Sequence, residues 1–154
     1  MSSLVLEIVG ELPEGLNVDP LQKTFVALLE STSDLPEGII NLAFVDDDAI
    51  QELNRTYSGN DYPTDVLSFD YREAGGPIGE VIGEIAISSE TAARQAHEAK
   101  TSLDDEVALL GLHGVLHILG YDHAEEADQE IVQTLQKELL MAAGVNYREF
   151  KWES

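Results

Sequence analysis

The chain has 154 residues, 8 Lys plus Arg against 30 Asp plus Glu, a formal net charge of −22 and no cysteine. The length suits one domain with a real core, and a 44% apolar fraction argues against disorder despite the charge. Absence of cysteine excludes disulfides, thiolate metal sites and a Cys nucleophile, and the acid excess alone speaks against partners rich in phosphate, nucleic acid included.

The first residues, Met1 to Glu7, lack the basic region and long apolar run of a signal peptide, and Leu4 to Val9 predicts a short strand. No apolar run approaches the roughly 20 residues of a membrane span. Asp19-Pro20 reads as a helix start with Asp as N-cap, followed by Leu21, Phe25, Leu28 and Leu29 at helical spacing. Ile39 to Val45 predicts a second strand, and Asp46-Asp47-Asp48 caps a helix reaching about Tyr57. Residues Ser58 to Thr64 form a loop, Val66 to Tyr71 a third strand, Gly75-Gly76-Pro77 a turn and Val81 to Ile87 a fourth strand. Ser88 or Ser89 caps a helix towards Lys100. Ser102, with Asp105 three residues on, resembles a capping box for a helix ending at Gly120. A last helix spans about Ala124 to Ala143 and is closed by Gly144. Strands mixed with helices of this length indicate α/β or α+β with one small sheet and no second domain.

Of four histidines, three lie in His113-Gly114-Val115-Leu116-His117-Ile118-Leu119-Gly120-Tyr121-Asp122-His123. On a helix His113 and His117 stand one turn apart on one face, so both imidazoles can point at one ion. Gly120 ends the helix and permits a reversal that returns His123 towards them. The helix is apolar almost all round, so it is expected to be buried, and burying imidazoles without a ligand leaves hydrogen bonds unmet. Three neutral imidazoles with one open position make a catalytic zinc arrangement, although a His-only site also accommodates nickel, copper or iron. The spacing H-x-x-x-H-x-x-G-x-x-H matches the zinc helix of metzincin proteases, but their general-base Glu is here Gly114, which disfavours ordinary peptidase chemistry. Asp122, Glu84 and Asp65 are the candidate catalytic carboxylates. Each has a structural alternative: Asp122 orienting a ligand His, Glu84 facing solvent and Asp65 capping a turn. Phe69 reads as core, while Tyr57, Tyr62 and Tyr71 give only a weak signal for base stacking.

These residues resemble the YbeY family of bacterial rRNA maturation factors. The signature H-G-x-L-H-x-x-G-Y-D-H is matched by His113 through His123. A second block is matched by Leu53-Asn54, Tyr57, Gly59, Asp61 and Pro63 through Phe69, and a third, G-[DE]-I-x-I-S, by Gly83 through Ser88. The three blocks span about two-thirds of the chain. The resemblance implies an α+β, zincin-like fold in one domain over residues 1–154: a small, mostly parallel sheet of about four strands packed with about five helices. It implies one Zn²⁺ ion held by His113, His117 and His123. It also implies hydrolytic cleavage of single-stranded rRNA in 3′-end maturation and quality control of the small ribosomal subunit, in the cytoplasm and without a membrane partner. A basic ribosomal protein is a further expected partner on electrostatic grounds, with the Asp46-Asp47-Asp48 run as a docking patch. Where the family usually carries an Arg thought to face the substrate phosphate, this chain has Ser58. Compensation from Arg55, Arg72 or another group, or weakened nuclease activity, follows. Arg55, Arg72, Arg94 and Lys100 leave room for a local positive patch. The alternatives are a non-catalytic ribosome-assembly factor with a structural metal and a metallopeptidase-like hydrolase.

Overall fold

A computed structural model of the chain describes residues 4–72, 79–121 and 126–147, with side chains from residue 128 onward in the last segment. In chain order the elements are β1 (Leu4–Ile8), α1 (Asp19–Ser31), β2 (Gly38–Val45), α2 (Asp47–Ser58), β3 (Val66–Asp70), β4 (Val81–Ser88), α3 (Ser89–Ala99), α4 (Leu103–Ile118) and α5 (Glu126–Ala142). The strands form one sheet ordered β1-β2-β4-β3, in which β1, β2 and β4 are parallel and β3 runs antiparallel at the edge. This is the expected α+β architecture, with a mixed, mostly parallel sheet and five helices among the described residues.

Helix α4 is the centre of the core. Its residues from Glu106 to Leu116 are all buried, as an all-round apolar sequence requires. It packs on β3, β4, α1, α3 and α5. Gly114 makes the approach to the sheet possible, because a Cβ there would lie 3.0 Å from Ile85 Cδ1. Gly83 does the same from the strand side, where a Cβ would meet Ile118 Cδ1 at 2.9 Å. Gly83 and Ile85 therefore face α4, and by the alternation of a strand Glu84 faces the opposite side of the sheet.

Local capping follows the sequence closely. The Asp46 side chain accepts from Ala49 N–H at 2.8 Å, Ser88 caps α3, and Ser102 Oγ accepts from Asp105 N–H at 3.1 Å. Three details differ. Helix α1 begins at Asp19 itself, and its cap position is Val18, whose side chain has no oxygen to offer; Asn17 Oδ1 accepts the Asp19 N–H instead, at 3.0 Å. The capping box at Ser102 is one-sided, because Asp105 Oδ2 accepts from the Asn146 N–H at 3.3 Å across to the chain after α5. Phe69 lies half-buried outside the core, edge-on to Tyr57, because its strand face is the one turned away from α4.

Candidate metal centre

Two of the three signature histidines lie within the described residues. His113 is 8% exposed and His117 is exposed, so the pair on α4 runs from the core outward to solvent. The helix stops immediately afterwards: Tyr121 N–H bonds to Leu116 C=O at 3.0 Å and Gly120 N–H to His117 C=O at 3.1 Å. Gly120 takes φ 101°, which a side chain would strain. These are the two bonds of a Schellman turn, which reverses the chain at the end of the histidine helix. His123 and Asp122 follow that turn and lie outside the described residues. Among the described residues, no group of three or more His, Asp or Glu side chains is placed to hold an ion.

His113 shows how the pair is prepared. Its Nδ1 donates to Oε1 of Gln136 in α5 at 2.8 Å, and Gln136 is fully buried. With the amide oxygen as acceptor, this bond corresponds to the tautomer that carries its proton on Nδ1. By donor chemistry, two imidazoles one turn apart suit a divalent transition ion, and the third histidine of the signature lies outside the described residues. Sequence reasoning missed Gln136, 23 positions from its partner. Its signal was a polar residue interrupting the buried stripe Val132, Gln136, Leu139 and Leu140 at helical spacing. The Gln136 Nε2 group is buried without a hydrogen-bond partner, a cost tolerated for the sake of the other end of the amide. Gln136→Leu is therefore expected to leave unfolding stability near that of the parent while weakening metal affinity by about 10- to 100-fold in a chelator-competition titration. Unchanged affinity would contradict the orienting role.

The carboxylates disperse. Glu84 is exposed on the sheet face opposite α4 and does not meet the histidines. Asp65 stands at the entry to β3, where its Oδ1 accepts from Val66 N–H at 2.7 Å and its Oδ2 from Gln95 Nε2 at 3.2 Å. The same Gln95 amide donates to Glu106 Oε2 at 2.9 Å. Glu106 is buried two helical turns before His113, about 10 Å along the axis, so Asp65 belongs to this tie between β3, α3 and α4. Burial pushes the Asp65 carboxyl above its ordinary value of 3.8, and the Glu106 charge adds to this. The bonds from Gln95 and Val66 oppose it. The folded state thus keeps a proton that the unfolded chain gives up. This contribution to stability is present below pH 3.8 and is lost as pH rises through the folded value. In denaturant titrations across that interval, the advantage of Asp65→Asn over the parent should grow with pH; a constant difference from pH 4 to 8 would refute the assignment.

Among the described residues, the three central arginines each have an acidic partner. Arg55 pairs with Glu52, Arg94 with Asp47 and Arg72 with Asp70. Arg72 alone reaches α4, donating to the Ile118 carbonyl next to His117. In the acidic run, Asp46 is occupied as a helix cap and Asp47 by Ser88, Thr91 and Arg94, whose hydrogen bonds hold its carboxyl below the usual range.

The fold is α+β, and its central helix α4 carries His113 and His117 one turn apart. The family model described as Endoribonuclease YbeY matches residues 14–144. The chain belongs to the YbeY endoribonuclease family, which makes it a hydrolase acting on RNA. It is 46% identical over 108 residues to the endoribonuclease YbeY of Carboxydothermus hydrogenoformans, covering 70% of this chain and 74% of the relative. To that of Desulforamulus reducens it is 39% identical over 152 residues, covering 95% and 99%. A protein of Thermotoga maritima solved in solution shares the fold with a TM-score of 0.59 at 29% identity, over 90% of this chain and 88% of that one.

Proposed function

We propose that the protein is a zinc-dependent, single-strand-specific endoribonuclease of the cytoplasm. In this reading it acts in 3′-end maturation and quality control of small-subunit rRNA, with residues 1–154 forming one metallohydrolase domain. The observation that supports the metal reading is the Gln136–His113 hydrogen bond, of the kind that orients a ligating imidazole. His113, His117 and His123 would hold the ion. When bound, it would supply Lewis acidity towards a phosphoryl oxygen and lower the pKa of bound water.

The chain's own groups divide the remaining work. Gly114 cannot take a proton, so the proton goes to a carboxylate or the strand activates its own 2′-hydroxyl. Asp65 is engaged by Gln95 and Val66 and Glu84 faces away, which favours Asp122, adjacent to His123, for the proton or for holding that ligand. Ser58 offers the phosphate one neutral hydrogen bond where the family usually presents a guanidinium. The bond from Arg72 to the Ile118 carbonyl, at the end of the histidine helix, supports compensation by that arginine. Its pairing with Asp70, and those of Arg55 and Arg94 with Glu52 and Asp47, support a second reading as a non-catalytic assembly factor that docks on rRNA or a basic ribosomal protein.

Incubating metal-loaded protein with single-stranded rRNA fragments and with peptides, and with His113→Ala as control, tests the proposal. RNA cleavage that disappears in His113→Ala is expected. Binding without cleavage would favour the assembly factor, and peptide cleavage a metallopeptidase. Ser58→Arg should raise the RNA rate by about tenfold or more, and no gain would show that Arg72 already supplies the charge.

A further inference from the structure

The sheet face turned away from α4 carries an open aromatic group at the β3 edge. Tyr57, in the last turn of α2, is 68% exposed and stands edge-on to Phe69, with ring centroids 5.3 Å apart and planes at 72°. Tyr71, two residues beyond Phe69 on the same strand face, is 37% exposed. Glu84 is exposed and directly opposite Phe69 in the β3–β4 register. It lies close enough to Tyr71 that, after burial, hydrogen bonding and charge from Glu84 hold the phenol above its ordinary range, with Tyr57 contributing as well.

Aromatic rings left partly in water forgo some of the stabilisation that burial would bring, and among the described residues these lie near the Glu84 carboxylate. The family's RNA substrate supplies the occupant. A protein of net charge −22 gains little from phosphates, so its hold on a strand must come from the uncharged bases. Bases stack on exposed aromatic rings whatever their identity. The carboxylate then selects among them. Guanine presents two adjacent donors on its Watson–Crick edge, N1–H and the N2 amino group, which match the two oxygens of a carboxylate. Adenine and cytosine pair one amino group with a ring-nitrogen acceptor, and uracil flanks one N–H with two carbonyls.

We propose that Tyr57, Phe69, Tyr71 and Glu84 form a subsite that stacks and reads a guanine of the substrate strand. The inference rests on the RNA-cleaving reading and adds base preference to it. Because β3 separates this face from the α4 side, the subsite reads a neighbour of the cleaved linkage and not the linkage itself. Glu84 is then a base-reading residue.

Fluorescently labelled single-stranded RNA heptamers, identical except for G, inosine or A at one position, test this by anisotropy with the full-length protein and by cleavage rate with the metal-loaded protein. The guanine strand should bind about tenfold more tightly than the adenine strand. Inosine, lacking the N2 amino group, should lose most of that advantage. Glu84→Gln should bring the guanine strand to the adenine level, and Tyr57→Ala should weaken both strands by about tenfold. Equal affinities for guanine and adenine, or a guanine preference that survives Glu84→Gln, would overturn the subsite while leaving RNA cleavage intact. Failure to cleave any strand would remove the RNA reading and the subsite with it.

Discussion

His117→Ala should lose the bound metal and lower RNA cleavage on the order of 100-fold or more, with little effect on folding. The imidazole is exposed on the last turn of α4, so truncation removes a ligand without opening a core cavity. Two imidazoles one turn apart act as a chelate, and the loss of one leaves a two-point site that competes poorly with solvent. Metal content by mass spectrometry should fall from near one ion per chain to a small fraction. His97→Ala, at the exposed end of α3, should keep its metal. Full retention in His117→Ala would sink the ligand assignment.

Gly83→Ala should be strongly damaging for so small a change, costing about 1–3 kcal/mol and lowering Tm by several degrees. A Cβ at that position would sit 2.8 Å from the Phe69 carbonyl oxygen and 2.9 Å from Ile118 Cδ1. The first obstacle is the backbone of the neighbouring strand, which cannot rotate aside. Either β3 or the end of α4 must move. That displacement separates Phe69 from its place beside Tyr57 and disturbs the Ile118 carbonyl that receives Arg72, so cleavage should fall along with stability. Gly79→Ala meets nothing within 4 Å and serves as the control. A Gly83→Ala protein that melts with the parent would show that the strand and helix are looser than their packing indicates.

What could be read from the residues was local. Asp46, Ser88 and Ser102 capped the helices expected of them, because a cap concerns a side chain and an amide three residues away. Gly120 ended the histidine helix for the same reason. The two described histidines share a helix face because four residues make about one turn. What was not legible required the sheet. Alternation puts Glu84 and Ile85 on opposite faces, but only the packing of Ile85 on Gly114 says which face meets the histidine helix. Asp65 turned out to share an amide with Glu106, 41 positions away, and Gln136 found His113 across two helices. Phe69 was expected in the core on its hydrophobicity, yet its side of the edge strand is only partly covered. Arg72 reaches the Ile118 carbonyl because β3 packs on α4 and delivers the second residue after its end to the helix terminus.

The antiparallel edge strand has a consequence for how copies of the protein meet. The bonds from Ser88 N–H to Asp65 C=O and from Tyr71 N–H to Ile82 C=O fix which residues of β3 bond inward. The main-chain groups of Ser68 and Asp70 therefore point outward, and among the described residues no strand lies beyond them. Such a border invites pairing with the same border of a second molecule, the first step towards fibrous association. Every copy carries a charge of −22, so two of them repel before their edges can align. The acid excess that looks ill-suited to an RNA enzyme thus opposes edge-to-edge pairing of copies along β3.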